Sequence, residues 1–142
     1  MSGDKAVLED YKINIRLKLS ALWTAVMFLY IYGDYFELYV PGKASGLVSG
    51  DPMLNSPMKL FVATVVLALP ALMIFLSLML SPRTAKWLNI GLGAFFTLFT
   101  LLVGMMSFSE WRIFYVFLSF TESIITALIV WLAFSWPRLN NQ

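Results

Sequence analysis

The sequence predicts an all-α membrane protein: four antiparallel transmembrane helices in a left-handed bundle, with both termini cytoplasmic. Three observations lead there. Of 142 residues, 60% are hydrophobic and only 13% charged, and the mean hydropathy is +0.79. A soluble domain carries nearer half apolar and a quarter charged residues, so too little polar surface exists here to cover a water-soluble globule. Leu60–Leu80 and Trp87–Ser109 are charge-free, and Ile113–Pro137 is interrupted once, by Glu122. Each matches the roughly 20 residues that a helix needs to cross the hydrocarbon. Lys and Arg fall seven to three between the alternate ends of these runs, which puts the termini inside.

Residues 5–16 come first. Leu8, Tyr11 and Ile15 share a helical face, while Ile13, Ile15, Leu17 and Leu19 alternate. An interfacial amphipathic helix on an anionic leaflet is the expectation, because extended backbone at a membrane lacks partners. The first span is less tidy than the others. Leu19–Gly33 offers 15 residues before Asp34, so the helix takes in Tyr35–Val40 and runs over about 17–40. No small-x-small site follows it, so it is expected to remain uncleaved. Pro41-Gly42 ends it, and Ser45-Gly46 and Ser49-Gly50-Asp51-Pro52 predict an irregular loop.

The second helix, about 57–81, starts with Ser56 as its cap and Pro57 in its first turn. Pro70 removes the bond to the Val66 carbonyl and predicts a kink, as a hinge, a cavity wall or an ordinary tolerated proline. Ser81-Pro82-Arg83 closes it. The third helix covers about 86–108, Ser107–Arg112 is a tight link, and the fourth covers about 111–135. Residues 1–142 form a single domain.

Lys5, Lys12, Arg16, Lys18, Arg83, Lys86 and Arg138 lie on the inner side, against Lys43, Lys59 and Arg112 outside. Trp23, Trp87, Trp131 and Trp136 then fall near the inner face, and Tyr30, Tyr32, Tyr35, Tyr39 and Tyr115 near the outer. Both sets suit interfacial anchors. In lipid, helices associate through small and hydroxyl residues. Gly93, Thr97, Thr100, Gly104 and Ser107 form one stripe; Ser119, Ser123, Thr126 and Ala133, with Glu122 beside them, form another. A third runs Ser20, Thr24, Met27, Ile31, Asp34.

Zero Cys and zero His remove thiolate metal sites, thiol nucleophiles and the usual general base near neutral pH. No catalytic residue, metal site or cofactor site is expected, and no nucleic-acid partner. Gly33-Asp34 lacks the second glycine, at Ile31, and the second membrane aspartate that an intramembrane aspartyl protease needs. The outstanding residue is Glu122. An acidic residue at mid-helix costs about 2.5–3.5 kcal/mol on the insertion scale, less than the apolar residues around it return. It reads either as a proton relay or ion site, or as a protonated group donating to Ser119, to Thr126 or across the bundle to another helix. Asp34 and Glu37 share a helix face with Tyr30 and approach Arg112. They read as a cation-binding mouth, or as an ion pair that fastens the first helix to the fourth.

Leu19-Ser20-Ala21-Leu22-Trp23 leading into Tyr30-Ile31-Tyr32-Gly33-Asp34-Tyr35, with Pro70–Ser77 and Glu122-Ser123-Ile124, resembles a family of small bacterial four-helix integral membrane proteins, a domain of unknown function. The resemblance runs over nearly the whole chain. It implies a multi-pass protein of a prokaryotic cytoplasmic membrane and carries no assigned activity.

Two functions follow as expectations. The first is a non-enzymatic accessory subunit, or a bundle that binds lipid or another apolar molecule. Its partners are the lipid bilayer and either another membrane protein or a second copy, with a monomer equally open. The alternative is a small proton or cation transporter using Glu122 with the outer Asp34 and Glu37. That reading needs a polar path over about 12–18 Å, bridged by Ser119, Ser123, Thr97, Thr100 and Tyr30. A cavity joining Glu122 to the outer acids favours transport; sealing by Phe and Leu favours a structural role.

Overall fold

The computed structural model describes residues 10–50 and 54–137. Lys5, Arg138 and the first part of the 5–16 segment lie outside them. The order is α1 (Ile15–Glu37), α2 (Lys43–Ser49), α3 (Pro57–Met79), α4 (Pro82–Met106), a 3-10 turn (Glu110–Arg112) and α5 (Ile113–Phe134). No strand occurs among the described residues. Four of the helices, counting the 3-10 turn with α5, are long and apolar enough to cross a membrane.

Local signals set the ends. Asn14 is extended and its side chain accepts from Arg16 N at 2.9 Å. Residues 10–14 are therefore not helical, which departs from the interfacial helix expected there: the cap stops α1 short of it. The α1 helix ends at Glu37, three residues before the expected boundary, and Gly42 then takes a left-handed φ of 84°. The loop expected to be irregular contains α2, whose Ser45 and Ser49 hydroxyls bond the carbonyls of Gly42 and Ser45 at 3.0 Å. Ser56 caps α3 by accepting from Lys59 N at 3.3 Å, and the helix continues through Pro70. Pro82 lies in the first turn of α4, so that helix begins ahead of the expected residue 86.

Neighbouring helices run in opposite directions. Gly93 of α4 faces Ile129 and Val130 of α5, and Gly104 faces Ser119. Arg16 at the start of α1 donates to the Leu78 carbonyl near the end of α3 at 2.9 Å. Lys86 at the start of α4 donates to the Phe134 carbonyl at the end of α5 at 3.2 Å. These two cations satisfy carbonyls that a helix terminus leaves without partners. At the opposite end Arg112 pairs with Glu37, joining α1 to α5. We call these the Asn14 end and the Arg112 end.

The α4–α5 seam is built from small and hydroxyl residues. A Cβ on Gly93 would come within 2.8 Å of Val130 Cγ2, and one on Gly104 within 3.1 Å of Ser119 Cβ. Glycine is what lets the two backbones approach there. Thr97 donates to Thr126 at 2.9 Å, and the Thr100 and Ser123 hydroxyls lie 2.8 Å apart. The dry core fills the Asn14 half: Leu19, Trp23, Met73, Phe96, Ile129 and Ala133 are each at most 1% exposed.

The α1 face differs from the expected stripe. Ile31 is 58% exposed, and the buried positions are Leu19, Ser20, Trp23, Val26 and Gly33. Trp23 is not an interfacial anchor. It is fully buried, and its indole N–H donates to Asn89 Oδ1 at 2.8 Å. A bulky ring with a satisfied donor packs as well as a small residue does.

Candidate functional site

The Arg112 half of the molecule holds a cavity of about 370 Å³ in place of a packed core. All four long helices line it. The α1 helix contributes Tyr30, Gly33 and Asp34; α3 contributes Ala63, Val66 and Leu67. The α4 helix adds Phe99, Thr100 and Val103, and α5 adds Tyr115, Leu118, Ser119 and Glu122. Most of this wall is aliphatic or aromatic, with a few polar groups converging on one space. Its floor is the dry core, where Phe96 meets Trp23 at 6.1 Å and Tyr30 at 6.3 Å between ring centres.

Glu122 lies on the buried face of α5 and is 5% exposed. Among the described residues its carboxyl has no hydrogen-bond or ion-pair partner, and it borders the cavity. The donation to Ser119 or Thr126 expected from the sequence is not made. The Thr126 hydroxyl instead donates to the Glu122 backbone carbonyl at 2.9 Å, and the Ser119 backbone carbonyl accepts from the Ser123 hydroxyl at 2.9 Å. Ser119 still reaches the cavity wall, whereas Thr126 is turned to Thr97 across the seam.

The outer cluster divides in two. Glu37 takes two of the three cations of that end, Arg112 and, at 3.1 Å, Lys43, while Lys59 donates to Asn55 Oδ1 at 2.9 Å. Asp34 takes neither Arg112 nor Lys43; it stays exposed and contributes to the lining of the cavity. Tyr30 and Tyr115 also leave the outer aromatic belt to line it, and the Tyr30 hydroxyl is buried with no partner. Tyr32, Tyr35 and Tyr39 stay exposed, with the Tyr35 and Tyr39 hydroxyls 2.7 Å apart.

Asp34 and Glu122 are closer than the sequence suggests. Gly33 packs against Tyr115 and Leu118, so Asp34 stands about two turns above Glu122, about 8–12 Å along the axis. Pro70 is buried beside the core and does not line the cavity, although Val66 does.

A second polar group was not anticipated. Asn89 Nδ2 donates to Ser77 Oγ at 3.2 Å and to the Ala85 carbonyl at 2.8 Å, while its Oδ1 accepts from Trp23. Three helices are thereby tied together beneath the cavity. One signal points to it: Asn89 stands four residues before Gly93, where the small-residue stripe of α4 would continue. The cavity itself offers two carboxyls, two phenols and two hydroxyls on apolar walls. Among the described residues no three His, Cys, Asp or Glu converge as a metal site.

Fold and cavity together define a small all-helical protein with four helices of membrane-crossing length. Residues 7–141 match the model of the family of unknown function DUF6326, and the chain belongs to that family. No curated protein and no solved structure matches it.

Proposed function

We propose that this is an integral protein of the cytoplasmic membrane, a left-handed antiparallel bundle with both termini inside, that binds an apolar molecule and catalyses no reaction. Support for the membrane comes from the outward faces, where Phe61, Leu98, Phe117 and Ile124 are all more than 60% exposed. A continuous apolar surface of this kind needs an apolar solvent. The observation that carries the binding reading is the cavity of about 370 Å³ shared by all four long helices. Its size and mostly apolar lining are those of small-molecule sites.

Gentle extraction with native lipid, followed by native mass spectrometry, tests it. The chain should carry a bound species at one-to-one stoichiometry. Ala63→Trp, which fills the cavity from α3, should lose that species while the protein stays folded. A native chain without adduct, or an adduct retained by Ala63→Trp, overturns the proposal.

Transport is the second reading, favoured by the single cavity that joins Asp34 to Glu122. Against it stand Trp23, Phe96, Met73 and Ile129, which pack the Asn14 half, where the buried Asn89 and Ser77 bond to each other and Asn89 to Trp23. Glu37 is also committed to its ion pairs. Proteoliposomes should therefore conduct no protons or small cations above protein-free vesicles. Flux that disappears in Glu122→Gln would reverse the order of the two readings.

A further inference from the structure

We infer that the ligand is an amphiphilic amine, an apolar body carrying one protonated nitrogen held between Glu122 and Asp34, an inference that rests on the binding reading above. Glu122 is 5% exposed, lines the cavity and has no protein partner among the described residues; Tyr30, also on the wall, has a buried hydroxyl that finds none among them either. Buried polar groups in native proteins are nearly always satisfied. Glu122, on that wall without a partner, points to a ligand that completes it, and a purely apolar molecule would leave it unsatisfied.

The sign of the missing charge follows from the lining. It contains two carboxyls and no Lys or Arg. The nearest cations on the same end, Arg112 and Lys43, are already bound to Glu37. An anion would meet two acids with nothing to offset them; an ammonium supplies N–H donors to both. The Tyr30 and Phe99 rings on the wall offer faces that attract a cation, while Arg112 already lies over the Tyr115 ring, 6.0 Å from its centre. Val66, Leu67 and Leu118 take the apolar part. Alkylammonium is the shared chemistry of a free lipophilic amine and of an ethanolamine lipid headgroup.

Equilibrium dialysis in uncharged maltoside micelles separates the outcomes. The probes are 1-naphthylmethylamine and its neutral counterpart 1-naphthylmethanol. The native chain should bind the amine about tenfold more tightly than the alcohol, equivalent to about 1.4 kcal/mol. Glu122→Gln should bring that ratio close to one while alcohol binding persists, and Asp34→Asn should lower it. Ala63→Trp should lose both probes. Competition of the amine by added phosphatidylethanolamine identifies the headgroup as the source; no competition identifies a free amine. Equal binding of the two probes, abolished by Ala63→Trp, overturns the amine and leaves the binding reading intact. A preference unchanged in both acid variants also overturns it. Binding of neither probe overturns the binding reading itself.

Discussion

Asn89 uses its amide as acceptor for one helix and donor for another, and it is completely buried in doing so. Truncating it leaves the Trp23 indole N–H in an apolar core without an acceptor. Asn89→Ala should therefore destabilise the folded chain by about 1–2 kcal/mol, within the range for orphaning a buried donor. Denaturant unfolding in micelles measures this, and an unchanged midpoint would mean that the indole finds another partner. Glycines on α4 give a paired prediction. Gly91 has open space where a Cβ would go, whereas Gly93 meets Val130 at 2.8 Å. Gly91→Ala should be neutral or gain up to about 1 kcal/mol from helix propensity. Gly93→Ala should lose about 1–3 kcal/mol to overpacking, and Val130→Ala should restore part of it. Equal effects of the two alanines would show that α4 and α5 are not in close contact at Gly93.

Elements differ in how plainly the sequence announces them. Charge-poor runs locate the long helices because a single Lys or Arg at mid-span is costly enough to be excluded. The α4–α5 seam is equally legible, since Gly93, Thr97, Thr100, Ser123 and Thr126 are small or hydroxyl residues at helical spacing. The packed face of α1 is not. It uses Leu19, Trp23 and Val26, residue types that serve a lipid-facing surface just as well, so spacing alone picks the wrong stripe. Residue types also name Glu122, Asp34 and Tyr30 as site candidates. That they share a cavity depends on the register between α1 and α5, which no local pattern encodes. Glu37 and Arg112 fix that register, and both side chains are at most one-third exposed. Arg112→Glu should cost about 1 kcal/mol or more, as one partner of a partly buried pair is lost and a repulsion gained. Adding Glu37→Arg should recover part of the loss in the same unfolding assay, the remainder reflecting the Lys43–Glu37 pair that this exchange removes. Failure of the double exchange to recover stability would place the register elsewhere.

At the scale of the molecule, the two halves have different structures: an interlocked, mostly apolar core at the Asn14 end and a lined cavity at the Arg112 end. The proposed orientation puts the cavity half outward. Single-cysteine replacements at Ser2 and Gln142 should then be labelled only from the inside of sealed vesicles, and one at Ser45 only from the outside. Labelling of Ser2→Cys or Gln142→Cys from the outside would invert the topology without altering the cavity.

The central claim, that the four helices enclose a site blocked at one end, is tested most directly by thiol reactivity along α5. Ser119 borders the cavity and Ile129 lies in the core, with no native cysteine to interfere. Treated with the small neutral reagent methyl methanethiosulfonate, Ser119→Cys should be modified and should be protected by 1-naphthylmethanol, while Ile129→Cys remains unmodified. Equal modification of the two positions, or a Ser119→Cys rate unaffected by the naphthyl probe, would contradict it.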